Sequence, residues 1–542
     1  MPRGVLIAGR LGRVRTLYVN GRIYASGTGS PDPSAMLVED GMITWIGQDD
    51  GAGQYVGIPT VDLDDAFVAP AFVDAHVHTT ATGLALTGLD LSGTRSLTEA
   101  LDLVERAARQ GRGRPILGQG WDETRWPEQR PPTAAELDRA SYGGSVYLSR
   151  VDVHSAVVSS ALMVAVPGLR DLAGFRPDGL LVSPAHDAAR TAALAGLTAG
   201  QIQDAQRAAL THAASLGIAC VHEMAGPAIS GAEDLTGLLA LAADETLPEV
   251  IAYWGELFGA DTARQLGAVG CGGDLFCDGS LGSHTAALRD PYADDPHNHG
   301  DLHYDTAELA EHLVQTIEAG LQTGFHVIGD AALDQVLDAY DAASAKLGRN
   351  AGAGQRLEHV EFVRDVPRLA TSGLLASVQP AFDAFWGGTD GMYADRLGAG
   401  RALGLNPFAA MAAAGVPLAF GSDAPVTPLA PWEGVRAAAY PHSPASGISP
   451  RAAFVAHTRA GWRAANRHGE GVLTPGAPAT FAIWLAGGLG VDAPDERVQR
   501  WSTDPRANVP GLPDVQPDAD LPSCLATVRN GTPIHDTGLL GG

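Results

Sequence analysis

Lysine is almost missing from this 542-residue chain: Lys346 is the only one, so 35 of its 36 basic residues are arginine. Positive charge as a whole is in deficit, with 62 acidic residues and a formal net charge of −26. Such a surface repels phosphate backbones and anionic lipid headgroups, which excludes nucleic acid and membrane surfaces as expected partners. Cysteine is scarce too. Cys220, Cys271, Cys277 and Cys524 form no CxxC or zinc-finger spacing and are too few for a disulfide framework, so a reducing cytoplasm is expected. No stretch approaches about 18 uninterrupted apolar residues, and the opening MPRGVLIAGRLGRVR carries charge without an apolar h-region. Neither secretion nor a membrane span is expected.

What is present is the composition of a folded soluble protein, with 45% hydrophobic and 18% charged residues. At roughly 150 residues per domain the length allows three or four domains, or one large α/β barrel with additions. Residues 14–66 read as short strands, with hairpin signals at Asn20-Gly21 and Asp40-Gly41, where a type I′ turn needs positive φ. The far end has the same character and a further Asn-Gly at Asn530-Gly531. Two separated all-β ends suggest one small composite β-sandwich, formed from residues 1–66 and 465–542.

Between these ends the pattern alternates apolar runs with Ala-rich helical segments. The strand-like runs are FVAPAFVDAHVH, RPILGQGW, GIACVHEM, GDLFCDG, TGFHVIGD, RLEHVEF, LLASVQP and VPLAFGSD. About eight such runs alternating with helices predict a parallel (β/α)8 TIM barrel over 67–464. A stretch of about 79–217 is too long for an ordinary βα connection and reads as an insertion after the first barrel strand that shapes a pocket or lid. Several runs end in His, Asp, Glu or Gln, and barrel chemistry sits at the C-terminal strand ends.

The sharpest local signal is DAHVH, Asp74 to His78. On a strand, positions i and i+2 face the same way, so His76 and His78 form a chelating pair directed into the barrel. Three further strand ends supply His326, His359 and Asp423. Neutral imidazoles with a carboxylate suit Zn²⁺ or another borderline divalent ion, leaving a coordination position open for water. Such an ion makes water a nucleophile near neutral pH, and a carboxylate beside it can accept and return the proton, a role assigned here to Asp423.

These residues, with their surroundings, resemble the amidohydrolase superfamily, and within it the family 3 branch that includes N-substituted formamide deformylase. The matching segments are APAFVDAHVH (69–78), GQGWDE (118–123), YLSRVDVHSAVVSSAL (147–162), LFCDGSLGSHTAAL (275–288), HVIGDAA (326–332), LEHVEF (357–362), SVQP (377–380) and FGSDAPV (420–426). The resemblance implies a metal-dependent hydrolase of C–N bonds, with His76, His78, His326 and His359 as metal ligands or metal-facing groups and Asp423 binding metal and shuttling the proton. It also implies the composite sandwich beside the barrel. Many relatives carry a lysine, carboxylated to bridge two metals, where this chain has Asp274, and Lys346 lies in a helical pattern after the fifth strand. No carboxylated lysine is therefore expected. Two roles fit Glu223 at the end of GIACVHEM: a bridging carboxylate, or an acid orienting a ligand histidine. The other arrangement is a single metal held by His76, His78, His326 and Asp423, with His359 polarising the substrate carbonyl.

Substrate contacts are expected from Trp121, Asp122, Arg150, Asp152 and His154 in the insertion, where a packed aromatic and a structural ion pair explain the residues equally well. Asp278, Ser280 and His284 follow the fourth strand and could touch substrate, although Asp-Gly-Ser is also turn chemistry. Gln379 could face the pocket from strand seven, whereas Cys277 reads as a buried small apolar group. The expected partner is a small molecule, with a homodimer as the assembly that symmetry statistics favour. Amide, formamide or cyclic-amide hydrolysis is the leading reaction; ring deamination on the same metal site, or an inactive binding protein, are the alternatives.

Overall fold

The computed structural model describes residues 14–25, 33–111, 113–150, 155–490 and 510–541. The chain divides into two compact units, 1–78 with 211–542, and 79–210.

In the larger unit, parallel strands follow one another in chain order: β1 (Phe72–Val77), β2 (Ile218–Ala225), β3 (Glu249–Trp254), β4 (Gly270–Cys271), β5 in two pieces (Gln322–Thr323 and His326–Val327), β6 (Arg356–His359), β7 (Leu375–Val378) and β8 (Leu418–Phe420). A parallel bridge between Val77 and Ala424 brings the end of β8 back to β1. Asp423 N donates to His76 O at 2.8 Å and His78 N to Ala424 O at 2.9 Å, which extends that contact. This is a mixed α/β, TIM-barrel-like arrangement whose strands are buried along nearly their whole length.

The roster of strands differs from expectation in two places. RPILGQGW is not part of this series: Ile116–Trp121 lies in the smaller unit, and the third parallel strand is EVIAYW. That run ends on a tryptophan, with no polar residue to mark a strand end that bears chemistry. GDLFCDG is also mostly irregular, since β4 is only Gly270–Cys271.

The terminal strands form two sheets around one apolar cluster that includes Tyr18, Met36, Ile43, Val68, Phe481 and Val528. One sheet is N-terminal. The other joins Arg22–Ile23 and Phe67–Pro70 to the C-terminal strands Phe481–Leu485, Ser523–Arg529 and Thr532–Asp536. Asp40-Gly41 and Asn530-Gly531 turn hairpins, each with positive φ at both residues. Asn20-Gly21 does not: Arg15–Val19 and Arg22–Ile23 enter different sheets.

The smaller unit has its own five-stranded sheet, in the order Leu180–Val182, Ser155–Val158, Val146–Arg150, Ile116–Trp121 and Leu89–Asp90. Two apolar clusters accompany it, one around Trp121, Trp126 and Leu148, the other around Tyr147, Leu162 and Ala189. Among the described residues no helix is long and apolar enough to cross a membrane.

Candidate metal centre

Strand alternation brings His76 and His78 to one side of β1, their rings 5.4 Å apart and nearly perpendicular. His76 Nε2 lies 3.4 Å from Asp274 Oδ2 and 3.4 Å from Asp423 Oδ1. His78 Nε2 lies 3.2 Å from each of the same two oxygens. The second oxygen of Asp274 faces the other way, with Oδ1 3.2 Å from His326 Nδ1 and 3.3 Å from His359 Nε2. Two groups of donors therefore share one carboxylate: His76, His78, Asp274 and Asp423, and Asp274, His326 and His359.

Each imidazole is held by its remaining nitrogen. His78 Nδ1 donates to Met224 O at 3.0 Å, His326 Nε2 to Gly279 O at 3.3 Å, and His359 Nδ1 to Gln379 Oε1 at 2.9 Å. His76 Nδ1 donates instead to the Glu358 carboxylate at 2.9 Å. These bonds orient the rings and turn the other nitrogen of each toward Asp274, Asp423 or both. The backbone is left-handed at His359 (φ 70°) and Asp423 (φ 55°), sparsely populated conformations for residues with a Cβ. At His359 the twist breaks the two-residue alternation, so Glu358 and His359 both reach His76, although they are neighbours in sequence.

The electrostatics suit a cation. Burial works against a charged His76, yet the Asp274 and Asp423 carboxylates hold its pKa up at about 10. The same pair pushes His78 well above the ordinary histidine value against burial. Burial would raise Asp274, but His76, His326 and His359 hold it well below the usual carboxylate range. Among the described residues, His76 Nε2 and Asp423 Oδ1 are buried without a hydrogen bond. Lone pairs confined so closely repel unless a proton or a metal ion lies between them. Imidazole and carboxylate donors of this kind fit a borderline divalent metal.

Glu223 belongs to neither group of donors. It is buried on β2, between His222, which bonds Arg356, and Met224, whose carbonyl accepts from His78. Asp274 faces both donor groups, and the Glu358 carboxylate accepts from His76. The lysine-free position before LFCDGS marked Asp274 as a departure, but its place between the donor groups depends on the loop after β4. Glu358 was hidden because regular alternation would have turned it away from His359.

The expected substrate residues divide. Asp278 is fully buried and accepts from Ala287 N, Ile328 N and Gly329 N at 2.9, 3.1 and 2.7 Å, so its carboxylate ties backbone together. Ser280 is half-buried and bonds Ser283 Oγ at 2.6 Å. His284 pairs with Asp294 at 3.0 Å. Gln379 Nε2 is buried without a partner among the described residues. Cys277 is buried, and burial raises its thiol pKa well above the ordinary value. In the smaller unit Trp121 is buried, donating to Leu148 O at 2.8 Å, while Arg150 bonds Glu123 at 3.0 Å and lies 3.6 Å from Asp122. Asp152 and His154 lie outside the described residues.

A metal-dependent hydrolase from Pyrococcus furiosus shares the architecture, with a TM-score of 0.73 and 27% identity over 86% of this chain and 98% of that one. Residues 59–535 match the amidohydrolase family, to which this chain belongs. Protein LONG AFTER FAR-RED 3 of Arabidopsis thaliana is 29% identical, covering 86% of each chain. N-substituted formamide deformylase of Arthrobacter pascens is 23% identical, covering 77% of this chain and 82% of its own.

Proposed function

We propose that this protein hydrolyses a carbon–nitrogen bond of a small molecule, an amide, formamide or cyclic amide, with divalent metal held on both sides of Asp274. His76, His78 and Asp423 would complete one site and His326 and His359 the other. The observation that carries the reading is the convergence of buried imidazole and carboxylate donors around His76 Nε2 and Asp423 Oδ1, which have no hydrogen-bond partner among the described residues. The name of the deformylase relative supports the bond type. The reading includes a complete (β/α)8 barrel beside a two-sheet body built from both chain ends. It also includes a reducing, cytoplasmic setting in which the four thiols stay free.

When bound, a divalent ion such as Zn²⁺ supplies Lewis acidity toward water and a carbonyl oxygen. Asp423 takes at its carboxylate one proton of the attacking water, whose oxygen forms the new bond to the carbonyl carbon. As the carbon–nitrogen bond breaks, Asp423 returns that proton to the departing nitrogen, and an amine and a carboxylic acid leave. Gln379 fixes the His359 ring through Oε1 and keeps Nε2 as a donor for substrate oxygen.

The test is turnover of a panel of N-substituted formamides, acyl amides, cyclic amides and amino-substituted rings by metal-loaded protein, with amine, carboxylate and ammonia measured separately. Amine and carboxylate in equal amounts are expected. Ammonia released from an amino-substituted ring, with no amide cleaved, would replace this reading with deamination.

A further inference from the structure

The four imidazoles of the centre are not held alike. Met224 O, Gly279 O and Gln379 Oε1 are neutral acceptors, whereas His76 alone donates to a carboxylate, that of Glu358. Glu358 is fully buried, and so is the arginine that neutralises it. Arg356 donates to Glu358 Oε1 from Nε at 2.6 Å and to Oε2 from Nη2 at 2.9 Å. The same guanidinium reaches Ala75 O at 2.6 Å, Ser377 Oγ at 3.0 Å and His222 Nδ1 at 3.0 Å, and it lies 4.5 Å over the Tyr253 ring. One side chain thus spans contacts to β1, β2, β3, β6 and β7 beneath the donors.

A buried ion pair is a weak device for stability, because desolvation offsets most of its attraction. Its distinctive product here is the third contact. A carboxylate draws the Nδ1 proton harder than a carbonyl does, which enriches the Nε2 lone pair and locks the tautomer that leaves it free. We propose that Arg356 and Glu358 are positioning residues that make His76 the dominant nitrogen donor of the metal centre. This rests on the metal-binding reading above.

The test compares Zn²⁺ affinity, by competition with a chromogenic chelator, in the wild type and in the double variant Arg356→Met/Glu358→Gln. Removing both charges together leaves no buried charge unpaired, and thermal unfolding of the apoproteins reads the fold separately. The expected result is a loss of affinity of about 10- to 100-fold with cooperative unfolding retained. Gln379→Met, which removes a neutral partner from His359, should cost less. An affinity within about twofold of wild type in a folded double variant overturns the proposal. If the double variant does not fold, Glu358→Asp keeps the charge balance but withdraws the carboxylate from His76, and unchanged affinity there overturns it equally. Wild-type protein that binds no Zn²⁺ would instead sink the metal reading itself.

Discussion

At the scale of single residues, Asp423 and Asp278 show how one side-chain type does different work. Asp423 keeps an oxygen buried and free of hydrogen bonds beside two imidazoles, while Asp278 spends its oxygens on three backbone N–H groups. Asp423→Asn is therefore expected to lower kcat by about 10²- to 10⁴-fold with little change in the unfolding midpoint of the metal-free protein. Asp278→Ala should instead cost about 1–3 kcal/mol of stability in urea unfolding, since it strands buried donors. Glu358 adds a pH dependence. Burial opposes its ionisation, but Arg356 and His76 bring its pKa down from 4.5 to about 2. A lowered carboxylate pKa stabilises the fold fully above 4.5, and that contribution is lost as the pH falls toward 2. Urea midpoints measured across that window should fall in the wild type and fall less in Arg356→Met/Glu358→Gln.

At the scale of elements, the closure of β8 onto β1 leaves no room for a side chain at Gly421. A Cβ there would sit 2.5 Å from His76 N and 3.0 Å from Asp74 Oδ1, the oxygen that accepts from Ser422 N. Gly421→Ala should cost about 1–3 kcal/mol and displace His76 as well, visible as lost metal uptake in protein that still unfolds cooperatively. The elements also show what the sequence made legible. The His-x-His pair and the polar ends of β5, β6 and β8 stood out because alternation and strand-end position are local rules. EVIAYW carries no polar end to mark it, and RPILGQGW is an apolar run of the same kind that belongs to the other sheet. Asp274 and Glu358 escaped for a different reason. One is placed by an irregular loop after a two-residue strand and the other by a left-handed neighbour, and neither obeys a period.

At the scale of the whole molecule, all six proposed metal donors belong to the unit formed by 1–78 and 211–542. Metal that binds the folded form alone stabilises it by mass action. Chelation should lower the unfolding transition of that unit, and resupply at about 100 times the Kd should restore about 2.7 kcal/mol, as differential scanning calorimetry can read. The broad class was legible from the order of motifs along the chain, and the unit of residues 79–210 lies within the stretch of about 79–217 that its length sets apart from an ordinary βα connection.

The most direct measurement is metal content per chain by elemental analysis, in protein purified without chelators, for the wild type, Asp274→Ala and Glu223→Ala. A carboxylate shared between two donor groups predicts about two ions in the wild type and in Glu223→Ala, with a clear loss in Asp274→Ala. No metal in the wild type, or a loss confined to Glu223→Ala, would contradict a centre built around Asp274.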